Sequence, residues 1–169
     1  MTLTTNAKAP LFSLKDQEGH LVELRSFLND KKTVVLFFYP QDNTPGCTAQ
    51  ACSFRDNEIG FKAHGAQVIG ISSDSEDSHQ AFKDKHQLPY PLLCDTDSKV
   101  ALAYGVKKRF GFLKDRVSFV IDSDGIIRHV FSSQLQVHRH IDECLRAVQK
   151  MNSPTSNTPN KPASVENPA

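Results

Sequence analysis

Cys47 and Cys52, five residues apart in the stretch TPGCTAQACSFRD, are the side chains of this 169-residue chain whose type and spacing most directly suggest chemistry. A thiolate is a nucleophile, and two thiols can form and exchange a disulfide. Thr44 and Pro45 come shortly before Cys47; threonine is a good helix N-cap, and proline is favoured at the first helical position. The sequence therefore predicts a helix that starts here, with Cys47 in its first turn. Free backbone N–H groups and the positive end of the helix dipole stabilise an anion there, so we expect the thiolate form of Cys47 to be favoured.

The spacing of these two thiols argues against a static structural disulfide. Five helical positions correspond to about 7.5 Å of rise and about 140° of rotation, or roughly 8 to 9 Å between Cα atoms. Disulfides rarely tolerate Cα separations above about 7 Å. Cys47 and Cys52 cannot be bridged while both stay helical, so we hypothesise that the start of the helix unwinds whenever they pair.

The remaining cysteines and the histidines show no pattern of a metal or CxxC site. Cys94 ends the apolar run PLLC and Cys144 lies on the apolar face of a predicted helix, so packing is favoured for both. No two cysteines have CxxC spacing, and the first two have no companion pair and no close histidine, which disfavours zinc. His138 and His140 would diverge on a helix. We interpret all seven histidines as surface residues.

Length and charge exclude several classes of partner. The chain has the length of one ordinary domain and can bury a substantial core. It carries 20 lysines and arginines against 19 acids, a formal net charge of +1, so we expect neither nucleic acid nor a membrane as a partner. The longest apolar run, VVLFFY at residues 34–39, is far shorter than the roughly 20 residues that span a bilayer. The first residues show no secretory or transit signal, which favours a reducing, cytoplasmic location, although a mature organelle protein would look similar.

The first half of the chain alternates strand and helix signals. Short apolar runs that end in turn residues are typical of buried neighbouring strands, and each run is followed by a helical pattern. For the second helix we expect Ser73 as the N-cap and Glu76 as its capping-box partner. The predicted strand, helix, strand and helix occupy about residues 34–38, 45–63, 68–71 and 75–87.

The second half predicts a short strand, a hairpin, a helix and a tail. Residues 88–93 read as a loop entering a strand, and the strands at 117–121 and 126–131 flank DSDG, which predicts an antiparallel hairpin and therefore a mixed sheet. Residues 151–169 hold four of the nine prolines and no aromatic residue, so we expect a flexible tail after one domain at residues 1–150. A final helix at about 138–150 places one apolar face on the sheet, formed by Ile141, Cys144, Leu145 and Val148.

The residues around Cys47 also resemble a known family. Pro40, three residues, Thr44, two residues and Cys47 are similar to the active-site motif of peroxiredoxins, and CTAQACSFRD resembles the subgroup called peroxiredoxin Q or bacterioferritin comigratory protein. The segments ISSDSEDSHQAF, LPYPLLCD, DRVSFVID and FSSQLQVHRHIDECL extend the resemblance over about residues 8–150. Gln50 departs from it, because many relatives carry an acid there. The resemblance implies a thioredoxin-like α/β fold, with a mixed central sheet flanked by helices.

The resemblance also implies a role for each matching residue. Cys47 would be the peroxidatic cysteine, which attacks a peroxide as thiolate and becomes a sulfenic acid, and Cys52 would be the resolving cysteine, which condenses with it to a disulfide. Thr44 would hydrogen-bond the thiolate and the peroxide, and Pro40 would shield the site from water. Arg116 matches the family's active-site arginine, whose fixed, permanently charged fork suits a thiolate and a peroxide oxygen together.

We therefore expect a thiol peroxidase that reduces hydrogen peroxide and organic hydroperoxides and is itself reduced by thioredoxin or a related dithiol. No cofactor or metal is implied, because the reaction needs only thiols and an outside reductant. As in many relatives, we expect a monomer. The alternative that Cys94 or Cys144 acts as a distant resolving thiol stays open. The alternative is a redox sensor or binding protein, in which the bridge switches a partner surface and turnover is incidental.

Overall fold

A five-stranded mixed sheet forms the centre of the molecule. The computed structural model describes residues 1–109 and 113–152. Its strands are β1 (Ser13–Lys15), β2 (Leu21–Glu23), β3 (Thr33–Phe38), β4 (Ala66–Ser72), β5 (Leu92–Cys94), β6 (Lys108–Arg109), β7 (Leu113–Lys114), β8 (Val117–Ile121) and β9 (Ile127–Ser132). The central sheet has the order β5, β4, β3, β8, β9, with β3, β4 and β5 parallel and β8 antiparallel to both of its neighbours. The predicted mixed sheet and the hairpin of β8 and β9 are confirmed.

Helices cover both faces of this sheet. They are α1 (Leu24–Asn29), α2 (Pro45–Asp56), α3 (Glu58–Ala63), α4 (Glu76–His86), α5 (Lys99–Ala103) and α6 (Val137–Asn152). Buried side chains of α2, α3, α4 and α6 belong to the core on one face, whereas those of α1 and α5 belong to the core on the other. The predicted α/β architecture, with helices flanking a mixed sheet, is confirmed.

The run of apolar residues in β3 is explained by its burial on both faces of the sheet. All six of its residues are buried, and successive side chains point to opposite faces of the sheet. Val35 and Phe37 therefore join the core beneath α2, while Val34 and Leu36 join the core on the other side. The ring of Phe37 stacks on Phe54 of α2, with 4.5 Å between ring centroids. This packing fixes α2 over the end of β3.

The register of β3 and β8 brings distant parts of the chain to one edge of the sheet. Because these strands are antiparallel, the last residue of β3, Phe38, lies opposite the first residue of β8, Val117. Arg116 immediately precedes Val117, and the loop that leads to α2 follows Phe38. The two segments consequently meet at the same edge, although they are far apart in sequence.

The predicted helix at 45–63 is two helices, α2 and α3, separated at Asn57. Asn57 has φ −106° and ψ 7°, and its side-chain amide donates to the Ser53 carbonyl at 2.8 Å. Such a local side-chain bond offers the backbone an alternative to helix. The apolar pattern continues across the break, so periodicity alone did not reveal it.

The starts and ends of two other helices also differ from expectation. The N-cap of α4 is Ser75, whose side chain accepts from the Ser78 backbone N–H, so the prediction of Ser73 was wrong. Helix α6 includes the first two residues of the predicted tail, and Met151 packs against the core. Residues 153–169, the rest of that tail, lie outside the described residues. No helix in the described part of the chain has the length and apolar character that a membrane crossing needs.

Candidate active site

The start of α2 places Cys47 inside the protein. Thr44 is the N-cap, with extended φ −85° and ψ 151°, and Pro45 is the first helical residue, as expected. Cys47 is only 1% exposed and lies in the first turn. The Thr44 hydroxyl does not cap the helix; it donates to the Gln41 carbonyl at 2.9 Å. The Thr44 side chain therefore accepts no hydrogen bond from the backbone N–H groups of the first turn. These N–H groups and the positive end of the helix dipole lie in the same turn as Cys47.

Arg116, which immediately precedes β8, reaches the thiol with its side chain. Its Nη1 atom lies 3.5 Å from the Cys47 sulfur, and the side chain is 5% exposed. The guanidinium is permanently charged and donates to the sulfur at this distance. Gly46 leaves room for it, because a Cβ atom there would lie 3.1 Å from Arg116 Nη2. Sequence resemblance alone had connected Arg116 with Cys47, and the structure brings the two together.

Gln50 is a member of this cluster that was noted in the sequence only as a departure from the family pattern. It is fully buried, and its Oε1 atom accepts from Arg116 Nη1 at 2.6 Å. The oxygen must face the guanidinium, because arginine has donors only. Gln50 Nε2 and Arg116 Nε have no hydrogen-bond partner among the described residues. The cluster therefore holds two buried donors beside the thiol.

Pro40 lies in the loop that joins β3 to α2. It is half-buried and follows the fully packed Tyr39. Asn43, one residue before the N-cap, has a left-handed backbone with φ 59°, a conformation that asparagine tolerates better than most residues. This turn brings Pro40 and Thr44 to the edge of the sheet where Cys47 and Arg116 meet.

Cys52 lies on the same helix as Cys47, half-buried, and both thiols are free. Both residues are helical, so the predicted geometry without a bridge is confirmed for this state of the molecule. Two side chains from elsewhere in the chain hydrogen-bond to this part of α2. The Tyr90 hydroxyl donates to the Ala51 carbonyl at 2.6 Å, and His138 Nδ1 lies 2.7 Å from the Ser53 hydroxyl.

A buried histidine lies behind Arg116. His140 Nε2 is 2.8 Å from the Ser133 carbonyl and therefore donates, so that its Nδ1 accepts from the Ser118 hydroxyl at 2.8 Å. Burial lowers the pKa of His140 to about 4, which keeps the ring neutral beside the charged arginine. The backbone N–H of Ser133 in turn donates to the Arg116 carbonyl at 3.3 Å. The ring thus supports the strand end that carries Arg116.

A family model described as the AhpC/TSA family matches residues 5–130, more than half of the chain. The chain belongs to the AhpC/TSA family. Among curated proteins it is 50% identical to a chloroplastic peroxiredoxin Q of Suaeda salsa over 84% of this chain and 66% of that protein. It is 47% identical to the peroxiredoxin Q of Sedum lineare over 88% of this chain and 80% of that one.

Solved structures of similar proteins agree with the fold described above. Peroxidoxin BcpB from Mycobacterium tuberculosis superposes with a TM-score of 0.84 at 36% identity, covering 89% of this chain and 99% of that one. The bacterioferritin comigratory protein of Xanthomonas campestris superposes with a TM-score of 0.77 at 28% identity, covering 84% and 92%. The chain therefore has the thioredoxin-like fold of the peroxiredoxins, and its reaction class is that of a thiol peroxidase.

The other two thiols of this AhpC/TSA family member are packed in the core. Cys94 is 9% exposed and Cys144 is fully buried. Burial raises the pKa of Cys94 to about 11 and that of Cys144 to about 12. Both are therefore almost entirely protonated, and hence weak nucleophiles, near neutral pH.

The interpretation of all seven histidines as surface residues was wrong for two of them. His79 and His140 are completely buried. Each uses both ring nitrogens in hydrogen bonds within the protein, which removes the cost of burying them. The pattern of apolar residues did not indicate this burial, because histidine is polar and is not counted among the apolar residues that mark a core.

Proposed function

We propose that Cys47 is the peroxidatic cysteine of this thiol peroxidase. The observation that carries the proposal is the position of its sulfur, buried at a helix start and 3.5 Å from Arg116 Nη1. The thiolate attacks one oxygen of the peroxide bond; a sulfur–oxygen bond forms as the O–O bond breaks. The departing oxygen leaves with the bonding electrons and takes a proton, giving water from hydrogen peroxide or an alcohol from an organic hydroperoxide. Cys47 is left as a sulfenic acid.

Four further residues contribute to this step. Arg116 stabilises the thiolate and, through its second donor group, the negative charge that develops on the peroxide oxygens. Thr44 donates its one hydroxyl hydrogen to the Gln41 carbonyl in the structure; in the reaction this hydroxyl rotates to hydrogen-bond the thiolate and the peroxide. Pro40 limits the access of bulk water. Gln50 holds Arg116 in place through its amide oxygen.

Cys52 is the resolving cysteine in this proposal. Its thiol displaces the hydroxyl of the Cys47 sulfenic acid as water, which forms an intramolecular disulfide. The helical spacing of the two residues keeps their Cα atoms roughly 8 to 9 Å apart, so the first turns of α2 unwind for this step. A dithiol reductant then cleaves the bridge by thiol–disulfide exchange and itself becomes a disulfide.

The physiological partners follow from this cycle. We assign thioredoxin or a related dithiol as the reductant, hydrogen peroxide and organic hydroperoxides as substrates, and a monomer as the working unit. The plant relatives described above are named as chloroplastic, whereas a cytoplasmic location remains the prediction for this chain. Sedimentation at working concentration tests the monomer; a dimer mass contradicts it.

Peptide mapping after one equivalent of hydrogen peroxide tests the cycle. We expect a loss of two hydrogens, located in a bridge between Cys47 and Cys52, and recovery of both thiols on addition of thioredoxin. A stable oxygen adduct on Cys47, or a bridge to another cysteine, would retain the nucleophile and remove Cys52 from its role. Cys52→Ser should still form the sulfenic acid but no intramolecular bridge.

Turnover distinguishes the enzyme from the redox sensor. With thioredoxin and its reductase present, the wild-type chain should consume many peroxides per molecule, and Cys47→Ser should consume none above background. Cys144→Ser is the matched control, since it removes a buried thiol outside the site, and it should keep the wild-type rate. Stoichiometric oxidation without turnover would support the sensor instead.

A further inference from the structure

The loop between β3 and α2 is tied to the rest of the protein through one side chain. Gln41 and Asn43 are exposed, whereas Asp42 between them is 5% exposed. The hydroxyl of Thr44 bonds within the loop, to the Gln41 carbonyl. In the described part of the chain, Asp42 is therefore the one member of residues 40–44 whose side chain hydrogen-bonds outside this loop. Pro40 lies two residues before it and Thr44 two residues after it.

The Asp42 carboxylate is surrounded by donors. Its Oδ1 atom accepts from the Tyr39 hydroxyl at 2.6 Å, and its Oδ2 atom accepts from the Ser78 hydroxyl at 2.9 Å. Burial, and then the neighbouring charge of Asp42, raise the pKa of Tyr39 well above its ordinary value, so the phenol keeps its proton and donates it. The backbone N–H of Asp42 donates to Asp74 Oδ2 at 2.9 Å. The loop is thus joined to Asp74, just before α4, and to Ser78 within α4.

His79 supplies the third contact with this carboxylate. Its Nδ1 atom lies 2.6 Å from Asp42 Oδ2, and its Nε2 atom lies 3.0 Å from the Leu93 carbonyl. A carbonyl only accepts, so Nε2 must carry hydrogen. One further proton must then lie between Nδ1 and Oδ2, because two facing lone pairs would repel. The pair therefore holds a shared proton in a site from which water is excluded, and it links the loop to α4 and β5.

We propose that Asp42 and His79 are positioning residues, which hold Pro40 and Thr44 against Cys47 through this shared proton. The inference rests on the proposed peroxidase cycle. A displacement of about 1 Å in a reacting group can cost about 100-fold in rate, so a fixed loop has a direct kinetic effect. The hydrogen bonds that anchor the loop end at Asp42, and Asn43, which has a left-handed backbone, follows it. Residues up to 42 therefore stay in place when α2 unwinds, and the loop returns Thr44 to the same position afterwards.

The variant Asp42→Asn tests the positioning role, because it keeps the shape of the side chain and removes its charge. Two rates are measured on folded protein: oxidation of Cys47 by hydrogen peroxide in a single turnover, and alkylation of Cys47 by iodoacetamide. Only the first needs Thr44 and Pro40. We expect peroxide oxidation to fall about 10-fold or more while alkylation stays within about twofold of wild type. Unchanged oxidation, or an equal fall in both rates, would overturn the proposal.

Glu143→Gln is the matched control. His129 Nε2 lies 2.9 Å from Glu143 Oε2, so this variant removes a carboxylate–imidazole pair of the same kind. The pair is partly exposed and lies outside the site. Both rates should equal those of the wild type. If Asp42→Asn does not fold, Tyr39→Phe removes one donor to the same carboxylate, and a fall of about threefold in peroxide oxidation alone is expected. An unchanged rate of peroxide oxidation in Tyr39→Phe would then overturn the positioning role.

Nuclear magnetic resonance of the His79 ring provides a readout that does not depend on peroxide. We expect hydrogen on Nε2 and a strongly deshielded proton between Nδ1 and Asp42, with the latter signal absent in Asp42→Asn. A ring without hydrogen on Nε2 would overturn the shared proton. If wild-type Cys47 does not react with peroxide, the proposed function fails and the positioning role with it; a normal wild-type rate with an unaffected Asp42→Asn rejects the positioning role alone.

Discussion

Gln50 presents a neutral amide oxygen to Arg116, 2.6 Å from its Nη1 atom and one helical turn from Cys47. The contact fixes the guanidinium without neutralising it. A carboxylate at the same place would form an ion pair in surroundings of low dielectric, where Coulomb interactions are strong. The charge of Arg116 consequently remains directed at the sulfur.

The substitution Gln50→Glu should therefore weaken the reactivity of Cys47. The new carboxylate competes for the charge of Arg116 and repels the thiolate, so we expect alkylation of Cys47 by iodoacetamide at neutral pH to slow by about threefold or more. Gln136→Glu is the control, because Gln136 Oε1 accepts from Arg139 Nη1 at 2.9 Å on the surface, where solvent screens the added charge. Equal or faster alkylation in Gln50→Glu contradicts this account.

Amide hydrogen exchange tests the unwinding of α2. In the reduced protein, residues 45–56 form a continuous helix that packs on Phe37. In the protein oxidised with one equivalent of peroxide, the bridge is incompatible with helical spacing, so the amides of residues 45–52 should exchange markedly faster. The amides of β4 serve as an internal reference and should not change. Equal exchange of residues 45–56 in both states would reject the unwinding.

The four cysteines should differ in their reactivity with iodoacetamide. At pH 8, a thiol whose pKa is about 11 has roughly 0.1% thiolate, and one whose pKa is about 12 has roughly 0.01%. We therefore expect Cys94 and Cys144 to remain unlabelled in the native protein while Cys47 and Cys52 are modified. In urea all four should react. Fast native labelling of Cys144 would show that its surroundings open readily.

His140 predicts a specific dependence of stability on pH. Its pKa is lowered to about 4 in the folded protein, against about 6.5 in an unfolded chain. Between these values the unfolded state binds more protons, so the free energy of unfolding falls as pH decreases from 6.5 to 4, by on the order of 3 kcal/mol. The contribution is fully present above pH 6.5.

Urea unfolding at several pH values measures this effect. In His140→Gln the fall between pH 6.5 and pH 4 should be smaller than in the wild type by that amount. His20→Gln replaces a histidine whose side chain is 73% exposed and should keep the wild-type dependence. Parallel curves for His140→Gln and the wild type would contradict the assignment.

Sequence reasoning located the start of the site because its signals are local. Thr44, Pro45 and Cys47 define a helix start within four residues, and the structure has that start at the predicted position. The apolar runs of β3 and β4 likewise report their own burial. Such features need no knowledge of the rest of the fold.

Contacts between distant residues were harder to predict. Arg116 is 69 residues from Cys47 in sequence, and only family resemblance connected them; nothing in the sequence indicated its contact with Gln50. His79 was missed because its burial depends on Asp42 and the Leu93 carbonyl, which come together only when three elements assemble. A polar residue in the core is decided by its partners, and the pattern of apolar residues does not identify them.

The antiparallel register of β3 and β8 has a consequence for the order in which the protein becomes reactive during its synthesis. Translation produces Cys47 first, and Arg116, its proposed activating partner, follows 69 residues later, immediately before β8. A ribosome-bound chain that ends before residue 116 therefore carries a thiol without its guanidinium. In the proposed cycle, peroxide sensitivity is thus acquired late, when the sheet that protects the thiol can close around it.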